Sequence, residues 1–193
     1  MKKRKPRPLP DVLTKEEKIV LLARPNRKAP TGNRNYAMIF TFLHMGFRVS
    51  EILTLRPADI DFATGKTHIK KGKGNKDRVI YAPESVLDVI GKWMTTRPPI
   101  GEDKPIFTTL DGKSLTRTYI HEMVSRYAKK AGIKKRVYPH LLRHSFATDF
   151  YRQTLNIAEL QKALGHSDIK TTMIYTHIAA ADLSKSMRGF NPL

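Results

Sequence analysis

Four short stretches of this 193-residue chain hold residue types suited to a metal-free attack on a phosphodiester, and their order counts for more than any one of them. The first is Gly46-Phe-Arg48-Val-Ser-Glu51, an arginine between one expected helix end and the next helix start, beside backbone N–H groups that favour an anion. Alone, it reads equally well as a surface pair of Arg48 with Glu51. The second, Lys71-Gly-Lys73-Gly-Asn-Lys76-Asp-Arg78, is a glycine turn that presents ammonium groups at its tip, or simply a solvated basic hairpin. In the third, Pro139-His140-Leu-Leu-Arg143-His144, a spacing of three sets His140 and Arg143 on one helix face, within reach of a common phosphate. The fourth, Leu164-Gly165-His166-Ser-Asp, is followed nine residues after its histidine by Tyr175, which alone reads as an aromatic packed on a core.

Metal and nucleotide chemistry fit these stretches poorly. His140 and His144 are four apart, but the HExxH zinc pattern needs Glu where Leu141 stands, and the chain has no cysteine to supply a thiolate. No GxxxxGK[ST] loop is present in the sequence. No metal and no cofactor are therefore expected.

The elements that must carry these residues follow from capping and periodicity. Thr14 and Glu17 have capping-box spacing ahead of an apolar run, and a second helix is predicted over 35–45, ended by Gly46, with a short third one from Ser50. Asp59 to Phe62, Thr67 to Lys70 and Arg78 to Ala82 read as three short strands of an antiparallel sheet. Helices are predicted over 84–96 and 116–131, then from Pro139, from an Asn156 cap to Gly165, from Ser167 or Asp168 through Tyr175, and over 179–187. The fold class is mainly α with one small antiparallel β-sheet.

Thirty-six Lys and Arg against seventeen Asp and Glu leave a net charge of +19, which makes nucleic acid the first partner to consider. With 40% hydrophobic residues the chain can bury one sizeable core. No apolar run approaches the roughly 20 residues that cross a bilayer, so no membrane partner and a cytoplasmic, DNA-associated protein are expected. Residues 1–13, basic and carrying Pro6, Pro8 and Pro10, read as an arm or linker remnant, and 14–193 as one catalytic domain.

In the order arginine, hairpin lysine, HxxR, histidine, tyrosine, the chain resembles the tyrosine recombinase (phage integrase) family, most closely its bacterial Xer-like members, over roughly residues 10–185. The resemblance implies site-specific DNA cleavage and rejoining on double-stranded DNA. Arg48 and Arg143 then match the two arginines that hold the scissile phosphate, and His140 and His166 the two histidines, the first as general base and phosphate donor, the second as phosphate donor. Lys73 matches the mobile hairpin lysine that protonates the departing 5′ oxygen, with Lys71 and Lys76 as alternatives. Tyr175 matches the nucleophile, and leaves a 3′-phosphotyrosine. His144 and His177 read as helix-surface or supporting groups, and Glu51 as orienting Arg48. The family's separate amino-terminal clamp domain is not matched by these residues, and the segment after Tyr175, Ala179 to Met187, is the candidate contact to a neighbouring protomer. A type IB topoisomerase and a DNA-binding protein without catalysis are the rival readings.

The chemistry is sound without the family. A phenol of ordinary pKa is only ~0.1% ionised at neutral pH, so it needs a proton acceptor or nearby positive charge. Fixed arginine and histidine donors can stabilise the charge that gathers on the non-bridging oxygens, the service metal ions perform elsewhere.

Overall fold

A computed structural model of the chain describes residues 11–70, 77–97, 99–166, 168 and 171–176. Its elements are α1 (Lys15–Leu22), α2 (Pro30–Met45), α3 (Val49–Thr54), a 3₁₀ turn (Pro57–Asp59), β1 (Lys66–Ile69), β2 (Arg78–Tyr81), α4 (Glu84–Thr96), α5 (Arg117–Lys130), α6 (Pro139–Thr154) and α7 (Ile157–Leu164). Most caps fall where the sequence puts them. Thr14 Oγ1 accepts the Glu17 N–H while Glu17 accepts the Thr14 N–H, and Asn156 Oδ1 accepts from Ala158 and Glu159. Helix α2 starts five residues earlier than its apolar periodicity suggests, with Pro30 in the first turn, where a missing N–H costs nothing.

Helix α2 is the central element and packs against α4 and α6. Met38, Ile39 and Phe42 of α2, Val86, Ile90 and Trp93 of α4, and Leu141 and Leu142 of α6 are fully buried, each such side chain contributing on the order of 2 kcal/mol. Trp93 keeps its indole satisfied by donating to the Ile106 carbonyl, at 2.8 Å. Also buried in this layer is a charge, Arg34, whose guanidinium donates to Asn35, to the Thr108 carbonyl and to the Tyr119 hydroxyl, tying α5 and the 105–110 segment to α2. Leu13, expected to end the arm, is 2% exposed and donates its N–H to Ser145 of α6. Residues 1–10 of that arm lie outside the described residues, as does the 179–187 segment.

The sheet is smaller than three runs imply. Strands β1 and β2 pair antiparallel in the register Lys66↔Tyr81 to Ile69↔Arg78, and the first run contributes only the single bridge Ile60↔Thr67. Pro57 opens a 3₁₀ turn there, and the Asp59 carboxylate accepts the Arg56 N–H, so the backbone at 57–59 is curled before it can extend.

A second, smaller apolar cluster of Ala147, Leu160, Leu164 and Tyr175 lies between α6, α7 and the 171–176 segment, flanked by Phe146 and Phe150. Gly46, which ends α2, has φ 59°, and a Cβ there would lie 2.2 Å from the Phe146 ring. Gly132 has a similar φ of 72° but no atom within 4 Å of its missing Cβ. We therefore expect Gly132→Ala to cost only the backbone strain of a left-handed residue, roughly 1 kcal/mol, and Gly46→Ala clearly more. Urea unfolding of both variants measures the difference.

Candidate active site

Three arginines from three elements converge on one carboxylate. Glu51, on the first turn of α3 and 4% exposed, accepts the Arg48 N–H at 2.8 Å and Arg48 Nη1 at 2.8 Å. It also takes two bonds from Arg78 of β2, at 2.7 and 2.9 Å, and lies 3.9 Å from Arg143 of α6. The same guanidiniums satisfy the orphan carbonyls at the end of α7: Arg78 donates to Ala163, Arg143 to Leu164 and Arg48 to Gly165, at 2.9, 2.6 and 3.2 Å. Arg143 also donates to the Gly46 carbonyl at the end of α2, at 2.5 Å. Gly165 is required in this junction: its φ is 62°, and a Cβ would lie 2.8 Å from Arg78 Cδ.

One carboxylate among three guanidiniums leaves an excess of positive charge, and it borders a cavity of about 250 Å³ lined by Arg48, His140, Arg143, His144, His166, Thr171, Ile174 and Tyr175. Five of the six sequence candidates thus meet around one volume. Lys73, with Lys71 and Lys76, lies outside the described residues, as does His177. The hairpin's base is nonetheless fixed, because Arg78, paired with Ile69 across the strands, is the residue that grips Glu51.

Each ionisable group carries the mark of this setting. Burial would raise the Glu51 carboxyl, but the hydrogen bonds and charge of Arg78, with Arg48 and Arg143, bring it down to about 2. Burial and then Arg48 lower Arg143 to about 9, which still leaves it protonated at neutral pH. Burial, then Arg143 and Arg48, takes His166 down to about 4. Its Nε2 faces Arg143 Nη2 at 3.3 Å and its Nδ1 faces Thr172 Oγ1 at 3.0 Å. A guanidinium has no lone pair, so Nε2 is the acceptor and the proton sits on Nδ1. To donate to a phosphate through Nε2 the ring has to gain a proton, which an arriving anion favours. His140, exposed at the cavity's edge, is lowered by burial and Arg143, and makes no hydrogen bond among the described residues.

Tyr175 is 1% exposed and sits in the second apolar cluster, where burial pushes its phenol up to about 12. Its hydroxyl lies 2.8 Å from His144 Nδ1. From sequence, His144 reads as a helix-surface or supporting group and Arg78 only as the end of the basic turn and the start of a strand. The signal for His144 was its place one helical turn after His140, and for Arg78 its place beside the glycine turn. Arg48 and Glu51 do pair, but with Glu51 buried and Arg48 partly buried it is no surface ion pair. Among the described residues, no three His, Asp or Glu side chains are grouped to hold a metal ion, and no helix is long and apolar enough to cross a membrane.

Comparison with known proteins gives this geometry a context. The sequence profile of the phage integrase family matches residues 11–182. The chain belongs to that family. It is 36% identical to the tyrosine recombinase XerD of Staphylococcus epidermidis over 188 residues, which cover 95% of this chain and 63% of that protein. The chain thus spans a little under two thirds of the length of this relative. Among solved structures it resembles the XerA recombinase, with a TM-score of 0.82 and 29% identity over 100% of this chain and 68% of the other. It also resembles the XerH site-specific recombinase bound to its palindromic difH substrate in a post-cleavage complex, with a TM-score of 0.78 and 29% identity over 93% of this chain and 53% of the other. The fold of this integrase-family chain is that of the tyrosine recombinase catalytic domain, mostly helical with a two-stranded antiparallel sheet.

The ionic junction has a measurable acid limb. A carboxyl whose pKa is depressed by folding adds stability above its unfolded value near 4.5, and loses it as pH falls through its folded value of about 2. The contribution is roughly 3 kcal/mol. Glu51→Gln, which leaves three guanidiniums facing a neutral amide, should be less stable at pH 7, and the gap to wild type should close as pH falls from about 4.5 towards 2. Urea titrations of both proteins across this range check it; a gap that does not vary with pH contradicts the assignment.

Proposed function

We propose that this chain is a catalytic domain of a site-specific recombinase that cuts and rejoins one DNA strand through Tyr175. The observation that carries the reading is the single cavity bordered by Arg48, Arg143, His140, His166 and the Tyr175 side chain, with excess positive charge behind it. In this reading Arg48 and Arg143 hold the non-bridging oxygens of the scissile phosphate, and His140 and His166 complete the set of donors. The Tyr175 hydroxyl attacks phosphorus and the 5′ oxygen leaves, with Lys73 at the hairpin tip supplying its proton. The phosphotyrosine ester keeps the energy of the broken bond, so a 5′-hydroxyl reseals the strand without ATP. The net charge of +19 and the XerH relative bound to its DNA substrate support double-stranded DNA as the partner.

Assembly on DNA is proposed through the segment 179–187 of a second copy. Its seat is an apolar groove of about 870 Å³ between α1, β2, α6 and α7, whose rim residues Ile19 and Tyr81 are 58% and 68% exposed. Leu183 and Met187 supply apolar side chains to enter it.

Nicked suicide duplexes with randomised arms, from which the wild-type protein selects the sequence it cleaves, provide the test. Wild type should form a covalent adduct, and Tyr175→Phe should form none while binding DNA nearly as well, since no cation is lost. Arg48→Ala and Arg143→Ala should each slow adduct formation by roughly 10²-fold or more. An adduct with the Phe variant removes Tyr175 as nucleophile. A bridging 5′ sulfur leaves as a thiolate without a proton, so Lys73→Ala should cleave that substrate far better than ordinary DNA. Equal defects on both substrates move the acid to Lys71, Lys76 or a histidine.

A further inference from the structure

The phenol of Tyr175 has one hydrogen-bond partner among the described residues, and it is His144. Nδ1 lies 2.8 Å from the hydroxyl, and the two ring centroids are 5.9 Å apart at 45°. His140, one turn earlier on α6 and about 6 Å back along the helix axis, lines the same cavity but has no bond to the phenol. In the imidazole tautomer with its proton on Nε2, Nδ1 accepts the phenol O–H, which satisfies the buried hydroxyl's donor. From this geometry we infer that His144 is a further catalytic residue: it takes the Tyr175 proton as the phenol attacks phosphorus. The inference rests on Tyr175 being the nucleophile, and it assigns to His144 the base role that the family resemblance gives to His140.

The surroundings suit a neutral acceptor. His144 faces His140 and Arg143 along α6, His166 beyond the end of α7, and Tyr175 itself. Burial, then His140 and Arg143, lowers its pKa below the ordinary value, which favours the neutral ring that an acceptor at Nδ1 requires. A buried phenol raised to about 12 does not ionise on its own, so attack requires the proton to leave in concert with bond formation. The step balances without a co-reactant. The Tyr175 O–H bond breaks and its proton goes to His144 Nδ1; the Oη–P bond forms; the P–O5′ bond breaks, and the 5′ oxygen takes a proton from the hairpin ammonium. Resealing runs the same transfers in reverse: the imidazolium returns its proton to the departing phenolate. His140 is then left to address the phosphate from the cavity's edge.

Single-turnover adduct formation on the selected suicide duplex separates this role from its rivals. His144→Ala should slow the step by roughly 10²-fold or more with DNA affinity unchanged. His144→Gln keeps a hydrogen-bond acceptor but cannot carry a proton, so it should be as slow as the alanine variant. In both, the wild-type plateau above the histidine's titration should give way to a rate that keeps rising with pH. Placing 3-fluorotyrosine, a more acidic phenol, at position 175 should restore at least about tenfold in the His144→Ala background and do little for His140→Ala. A Gln variant as fast as wild type would reduce His144 to a positioning contact. A faster Ala variant would make it a latch on a resting tyrosine, and rescue of His140→Ala alone would return the base to His140; each of these overturns the inference. Failure of the wild-type protein to form any adduct would instead overturn the recombinase reading itself.

Discussion

The convergence of Arg48, Arg78 and Arg143 on Glu51, and on the last carbonyls of α7, is the constraint on which the rest of the site depends. A buried charge is costly unless it is paired and hydrogen-bonded, and a helix C-terminus is costly unless its carbonyls find donors. Here each guanidinium answers both needs at once. Arg48 at the N-cap of α3, Arg78 of β2 and Arg143 of α6 are thereby locked to the end of α7, so segments from residue 48 to residue 165 share one junction. A single carboxylate cannot balance three cations, and the surplus faces the cavity as a preformed anion site. Because the donors are held before any ligand arrives, little reorganisation is left for the reaction.

The proposed nucleophile is held by different physics. Tyr175 lies in an apolar cluster with Ala147, Leu160 and Leu164, separate from the main core, and its hydroxyl meets His144. Burial keeps the phenol protonated at neutral pH. Charged donors fixed by ion pairs thus sit against a phenol fixed by packing. Helix α6 joins the two, since Leu141 and Leu142 enter the main core while His140, Arg143 and His144 line the site. Loss of α6 packing would therefore disturb phosphate binding and proton transfer together.

The hairpin links the site to the outer surface. Its strands are short and, among the described residues, pair only with each other and with the bridge at Ile60, which gives it little intrinsic stability. Arg78 compensates by tying β2 to Glu51 and to the Ala163 carbonyl. On the outer side of the same strand, Val79 and Tyr81 open onto the apolar groove, so the surface proposed for a second copy and the phosphate site share β2.

How much of this was legible in the sequence follows the range of the interactions. Local signals decided the helices: the Thr14 and Asn156 caps, Pro139 at a helix start, and Gly46 and Gly165 at helix ends, because capping involves only neighbours three or four residues apart. Where backbone geometry competed with pattern, at Pro30 and Pro57, the periodicity misplaced a helix start and promised a third strand. The order of Arg48, Lys73, His140, Arg143, His166 and Tyr175 was enough to name the family and the chemistry to expect. It could not say that Glu51 and Arg78 form the buried anchor, nor that His144 and not His140 meets the phenol. Those contacts join residues 27 to 31 positions apart, and only the packing of α3, β2, α6 and α7 around one junction brings them within hydrogen-bond distance.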